Sequence, residues 1–169
     1  MLELDSQLKL LACLKAIDVP IDAPSLDSRI VVQKKLYLIQ ALGCKSNYRF
    51  GWYLFGPYSQ ELSRDLMDLQ SFKKYFEQSS SSYKLLNEER SAARHARSLF
   101  DEIKGLGNER HWLELISSIH FLVHNAMPRY NTPEDVFAKL NQEKPGKFSM
   151  DDTKKAWSVL GKYGLISDS

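Results

Sequence analysis

Few residues of this chain have the types and spacing that chemistry at a site would require. His120 and His124 lie four residues apart, as two metal ligands on one face of a helix would. Ser117 and Phe121 in the same segment are not ligands, and the glutamate of an H-E-x-x-H motif is missing. We therefore interpret both histidines as half-buried side chains and expect neither a metal nor a cofactor.

The sequence motifs of common enzymes are also missing. The chain has no G-x-S-x-G motif, no P-loop and no Cys–His spacing that would suit a nucleophile. Its two cysteines, Cys13 and Cys44, have neither metal-ligand nor redox spacing, which is typical of free thiols in a reducing cytosol. The sequence favours a protein that is not an enzyme.

Lys35 is a charged residue in the middle of an apolar helical stripe. When successive residues are placed about 100° apart around a helix, this stripe contains Val31, Val32, Leu36, Leu38, Ile39 and Leu42. An unpaired buried ammonium is costly, so Lys35 must either extend towards water or meet a partner. Asp65, on the flank of a later helix, is the candidate partner. We predict a structural Lys35–Asp65 ion pair.

The elements around these residues form a helix, strand, turn and helix. Ser28 is a candidate cap for a helix that ends before Gly43. Residues 48–54 are rich in aromatic residues and are predicted to form a strand, which Gly56-Pro57 would stop. Ser59 is a candidate cap for the next helix.

The fold class predicted from the whole chain is mainly α, with about seven helices. Residues 83–86 are expected to be a short strand that pairs with 48–54, giving a small β-hairpin or wing in a winged-helix layout. Gly105 and Gly107 suggest a division into an N-terminal helical lobe, 1–104, and a C-terminal three-helix lobe, 105–169, packed as one compact unit.

The central segment also resembles a known family. KKLYLIQALG followed by YRFGWYLFGPYSQELSRDL is similar to the uncharacterised bacterial YwgA-type proteins. More distantly it resembles the SocA-like Panacea antitoxin domain, in which a K-L-x-Y-L helix precedes a G-P turn. The Panacea pattern usually has valine after G-P, where this chain has Tyr58-Ser59. The likeness to the YwgA type continues through HWLELISSIHFL and EKPGKFSMDDTKKAW and so spans most of residues 28–160. The resemblance implies a small regulatory role, linked to toxin–antitoxin or phage-defence systems, with no assigned biochemical activity.

Two functions remain open. The first is a protein-interaction module whose aromatic side chains bind a protein partner, since rigid aromatic residues often dominate interfaces. Its candidate binding residues are Tyr37, Tyr53, Phe55 and Tyr58. Packing of the same aromatic residues inside the core is the competing interpretation.

The second function is a winged-helix-like regulator that binds DNA. Its candidate phosphate-contacting residues are Lys34, Lys73, Lys74, Arg90, Arg94 and Arg97. The three arginines share one helix face, which could equally be an ordinary solvated face. The net charge of +2 is close to balanced, and this counts against nucleic acid as a partner.

The sequence gives no indication of a membrane partner. The first residues lack the uninterrupted apolar segment of a secretory signal, and no apolar run approaches the length of a membrane span. We expect a soluble, cytoplasmic protein.

Overall fold

The computed structural model describes residues 2–79 and 83–167, which form eight helices and two short strands. In chain order these are α1 Leu2–Ala16, α2 Leu26–Ala41, β1 Gly51–Tyr53, β2 Gly56–Tyr58, α3 Gln60–Ser71, α4 Lys73–Ser79, α5 Asn87–Gly105, α6 Glu109–His124, α7 Pro133–Glu143 and α8 Met150–Lys162. The prediction of a mainly α fold with a small β-hairpin is confirmed. Helix α4 is the one helix beyond the expected number. It was not predicted because it forms from a polar stretch with little apolar periodicity.

The hairpin differs from the predicted one. Strand β1 pairs antiparallel with β2, with Trp52 opposite Pro57 and Tyr53 opposite Gly56. The chain reverses at Leu54-Phe55, and Gly56 adopts a φ of +82° that side chains disfavour. Strand β1 ends before Gly56-Pro57, as predicted, but this dipeptide begins the returning strand β2, which the sequence did not predict.

The predicted second strand, residues 83–86, was also wrong. This segment is not a strand and leads directly into α5, whose N-cap is Leu86. The Glu89 side chain accepts a hydrogen bond of 3.0 Å from the Leu86 N–H, which closes the first turn of the helix. The winged-helix layout loses its second strand as a result.

The two predicted helix caps have different outcomes. Ser59 caps α3 as expected, with its hydroxyl accepting from the Leu62 N–H at 3.2 Å. Helix α2 instead begins one turn earlier than predicted. Ser25 is its N-cap, and Ser28 is the third helical residue, whose hydroxyl accepts from the Ser25 N–H at 3.0 Å.

Helix α6 lies at the centre of the packing. It contacts α2, α5, α8 and β2, so it joins the two predicted lobes. The buried apolar residues of both regions form one hydrophobic cluster, from Leu8 to Ile166. Because this core is continuous, the side chains of α2 and α6 are fixed relative to the hairpin.

Candidate functional site

A cavity of about 580 Å³ lies between α2, the hairpin and α3. We call it the hairpin groove. Helix α2 supplies Ile30 and Lys34 to its lining, the hairpin supplies Phe55, and α3 supplies Leu66. A concave, mainly apolar space of this size is typical of binding sites.

The rim of the hairpin groove exposes large apolar side chains to solvent. Leu54 is 73% exposed and Met67 is 63% exposed, and Leu26 and Tyr53 are exposed beside them. These four are half of the eight large apolar residues that are exposed in the described part of the chain. Such clustering marks an interaction site more often than scattered exposure does.

The C-terminal half of the chain holds the hairpin in place. The Trp52 indole N–H donates to Glu143 at 2.8 Å. The Lys147 ammonium lies 5.2 Å from the centre of the Phe55 ring, and the Arg110 guanidinium lies at the same distance. These cation–π contacts connect the turn of the hairpin to α6 and to the segment between α7 and α8.

Gly56 allows the hairpin to approach α6 closely. A Cβ atom at this position would overlap the Ser118 hydroxyl, and the positive φ would add backbone strain. The backbone of the hairpin can lie against α6 because no side chain separates them. This contact fixes one wall of the hairpin groove.

Lys34 is a buried cation that lines the hairpin groove. The residue is only 2% exposed, and its Nζ donates to the Pro57 carbonyl at 2.5 Å. Burial lowers the pKa of Lys34 to about 7; Glu114 opposes this shift, while Lys144 and Lys147 add to it. Close to neutral pH, this amine therefore exists in both protonation states.

Glu114 is the carboxylate that acts most directly on this cation, and it already has two partners. Its Oε1 accepts from Lys144 Nζ at 2.7 Å and from Lys147 Nζ at 2.6 Å. Burial raises the pKa of Glu114, but these two hydrogen bonds outweigh it and leave the pKa below its usual range. Glu114 stays ionised inside the protein.

The predicted partner-binding aromatic residues divide into two groups. Tyr53 is exposed, and Phe55 and Tyr58 are half-buried, with all three lining the hairpin groove. Tyr37 is buried, at 6% exposure, and its hydroxyl forms a hydrogen bond of 2.7 Å with His120 Nδ1. The prediction of Tyr37 as a surface anchor was wrong, because its face of α2 packs against α6.

Lys35 has a different partner from the predicted one. Its Nζ lies 2.6 Å from Glu109 Oε1, at the start of α6, and 5.3 Å from the centre of the Phe100 ring. Asp65 instead accepts a hydrogen bond of 2.7 Å from the Tyr48 hydroxyl. The Lys35–Asp65 prediction was wrong because this face of α2 turns towards α5 and α6 and not towards α3.

The predicted nucleic-acid residues lie on three helices. Lys34 on α2 is buried, so its assignment to a DNA-binding surface was wrong. Lys73 on α4 pairs with Asp22 at 2.8 Å, and Arg97 on α5 pairs with Asp18 at 3.0 Å. The remaining three, Lys74, Arg90 and Arg94, are exposed. The Arg90 guanidinium donates a hydrogen bond to the Asn87 side chain.

The histidines have hydrogen-bond partners within the fold. The rings of His120 and His124 lie 4.5 Å apart, and the His124 Nε2 contacts the Leu165 carbonyl at 2.7 Å. Over residues 2–79 and 83–167, no three His, Cys, Asp or Glu side chains are grouped as a metal site would need. The thiols of Cys13 and Cys44 are both buried, with 2.9 Å between the sulfur atoms.

A second cavity, of about 720 Å³, lies between α1, α3 and residues 45–48 and has a mainly polar lining. Charged groups of that lining contact other protein groups. Asp65 accepts from Tyr48, Lys9 pairs with Glu89 at 2.5 Å, and Asp68 accepts from Gln7 at 3.2 Å. We favour the hairpin groove as the candidate site because its rim is apolar and exposed.

Sequence reasoning did not identify Leu54, Met67 or Lys34 as parts of one site. Leu54 carried a usable signal, since an apolar residue at a tight reversal is unusual where turn residues are normally polar. Met67 and Lys34 become neighbours of the hairpin only through the packing of α2 and α3.

Comparisons of the chain with protein-family models, with curated proteins and with solved structures find no match. The described residues contain no helix of the length and apolar character that crossing a membrane requires.

Proposed function

We propose that the protein is a non-catalytic interaction module that binds a segment of a partner protein in the hairpin groove. The observation that carries this proposal is the clustering of exposed Leu26, Tyr53, Leu54 and Met67 around a preformed cavity. Apolar side chains of a partner would bury this surface, and burial of apolar area drives most protein association. Tyr53, Phe55 and Tyr58 supply rigid contact area at low entropic cost.

The lining of the hairpin groove also indicates the charge of the partner segment. Among the described residues that form it, two are basic, Arg29 and Lys34, and none is acidic. Electrostatic complementarity favours a partner that places an acidic residue next to its apolar anchor. The resemblance to YwgA-type and Panacea proteins is consistent with a regulatory partner in a bacterial toxin–antitoxin or phage-defence system.

The competing function, a DNA-binding regulator, has less support. Lys34 is buried, and Lys73 and Arg97 pair with acidic side chains, which reduces the positive charge that phosphates could contact. The expected second strand of a wing is also missing at residues 83–86.

The proposal can be tested with a random peptide library displayed on phage and selected on the purified protein. We expect enriched peptides with an apolar anchor beside an acidic residue. Their binding, measured by fluorescence anisotropy, should weaken about tenfold or more for Leu54→Ser and Met67→Ser, which remove apolar contact at the rim.

Met127→Ser is the matched control, because Met127 is 90% exposed and lies outside the groove lining. This variant should bind the selected peptides like the wild type. The proposal fails if the wild type enriches no peptide, or if the enriched peptides bind Met67→Ser as well as they bind the wild type.

A further inference from the structure

The buried charges beside the hairpin groove are unbalanced. In the described part of the chain, Glu114 is the one carboxylate whose charge raises the pKa of Lys34. Lys144 and Lys147 carry the same positive charge as Lys34 and lower its pKa. Lys144 and Glu114 are largely buried, with side-chain exposures of 10% and 1%, while the Lys147 side chain is 32% exposed. An excess of positive charge in a site shielded from water attracts an anion.

The hydrogen bonds of Lys34 are also incomplete. An ammonium carries three N–H donors, and the described residues give Lys34 Nζ a single acceptor, the Pro57 carbonyl. Both lysines that bond Glu114 use its Oε1, and the acceptor of Lys34 in the described part of the chain is a backbone carbonyl and not this carboxylate. Buried donors without acceptors are unfavourable, so a ligand that supplies an acceptor would stabilise the charged amine.

We propose that Lys34 recognises the carboxylate of a glutamate side chain in the partner segment bound by the hairpin groove. This inference rests on the proposed function and names the group that fixes the position of the partner. Lys34 is 2% exposed, so the backbone of a partner remains at the rim and only a side chain reaches the amine. Glutamate is the longer of the two acidic side chains and carries its charge at the tip.

The affinity of a carboxylate for this site should depend on the protonation state of Lys34. With Glu114, Lys144 and Lys147 as the charged groups around it, the pKa of Lys34 is about 7 in the free protein. A bound carboxylate favours the ammonium, so the pKa of Lys34 rises on binding and the complex takes up a proton where the free amine is neutral. Affinity for a carboxylate should therefore fall as the pH rises above 7.

The test uses 4-phenylbutanoate as a probe that combines a carboxylate with an apolar group, and 4-phenylbutanamide as its uncharged match. Binding of both to the whole protein is followed by NMR titration. At about pH 6.5 the carboxylate should bind the wild type about tenfold more tightly than the amide does. Between about pH 7 and pH 9 its affinity should fall towards that of the amide, by up to about tenfold in total, while that of the amide stays constant.

Lys34→Met supplies the matched variant, and it should bind the two probes equally. A second arm uses a selected peptide with an amidated C-terminus, so that only side chains carry carboxylates. Its Glu→Gln form should bind the wild type about tenfold more weakly and bind Lys34→Met like the parent peptide.

Equal binding of the carboxylate and the amide to the wild type, or a carboxylate affinity that does not change with pH, would overturn the inference even if Lys34→Met does not fold. Peptide binding that depends on Leu54 and Met67 would then still support the proposed function. If the carboxylate probe binds with the expected pH dependence but the library yields no peptide, Lys34 is still an anion-binding residue. The proposed binding of a protein segment is then rejected.

Discussion

The hydroxyl of Tyr37 and the Nδ1 of His120 form a hydrogen bond of 2.7 Å across the interface of α2 and α6. Burial, with a smaller contribution from His124, lowers the pKa of His120 to about 4. Burial also raises the pKa of Tyr37. Both groups are therefore neutral at physiological pH, and they form a neutral polar contact between the two central helices.

The first prediction concerns stability in acid. The unfolded chain binds a proton on His120 near pH 6.5, while the folded protein does so only near pH 4. The free energy of unfolding should therefore decrease as the pH falls through this window, by about 3 kcal/mol in total. His120→Asn, which retains an acceptor near the Tyr37 hydroxyl, should show a smaller decrease in denaturant titrations at pH 7 and pH 4. Equal decreases in both proteins would contradict the assignment.

The second prediction concerns Lys34 above neutral pH. Its pKa is about 7 in the folded protein, below the ordinary value of 10.5, so between these values the unfolded chain holds the extra proton. Stability should therefore rise with pH in this window. Relative to Lys34→Met, the wild type should gain about 3 kcal/mol between pH 7 and pH 10. Urea titrations of both proteins across that range measure the difference, and a constant difference would show that Lys34 titrates normally.

The third prediction concerns the partner of Lys35. Lys35→Met and Glu109→Gln should each destabilise the protein, with a coupling energy of about 1 kcal/mol in the double-mutant cycle. The matched cycle pairs Lys35→Met with Asp65→Asn and should be additive, since Asp65 bonds to Tyr48. Coupling in the second cycle and additivity in the first would reverse this assignment.

The fourth prediction concerns the close contact of the hairpin with α6. Gly56→Ala should destabilise the protein by about 2 kcal/mol or more, because it adds both steric overlap and strain at a positive φ. Gly146→Ala provides the control for strain alone. Gly146 has a φ of +71°, and a Cβ atom there would have no described atom within 4 Å. Thermal unfolding of the two variants compares the effects, and equal losses would mean that the Ser118 contact has no steric consequence.

The fifth prediction separates protein binding from DNA binding. We expect the wild type to elute from heparin and from immobilised DNA at low salt, because phosphate binding requires a cationic surface and weakens steeply with salt. The triple Ala variant of Arg90, Arg94 and Arg97 should elute at the same salt concentration and keep its melting temperature. Strong retention that the triple variant abolishes would support the regulator and count against the interaction module.

The local features of the fold could be predicted because they depend on neighbouring residues. Ser59 as a helix cap and the strand around Trp52 both follow from residues close by in the sequence. The hairpin partner could not be read in this way. Gly56-Pro57 satisfies the rules for a helix start as well as those for a short strand that reverses after Phe55, and tertiary packing against Ser118 selects the second.

The candidate site was harder to predict because it depends on contacts distant in sequence. An apolar stripe places Lys35 on a helix face, but only the packing of α2 decides that this face meets Glu109. Lys34 looked like a surface cation for the same reason. Tyr53, Phe55 and Tyr58 could be proposed from residue type alone, whereas the cavity between them and Met67 required the position of α3.

The contacts of Trp52 and Phe55 with residues 143–147 have a consequence for synthesis of the protein. The hairpin leaves the ribosome long before the segment that holds it. Until Glu143 and Lys147 emerge, the nascent chain has the apolar rim of the groove without these contacts to the hairpin. The hairpin side of the groove that we propose as a binding site would thus gain these contacts only late in translation, and a chain interrupted before this segment would lack them.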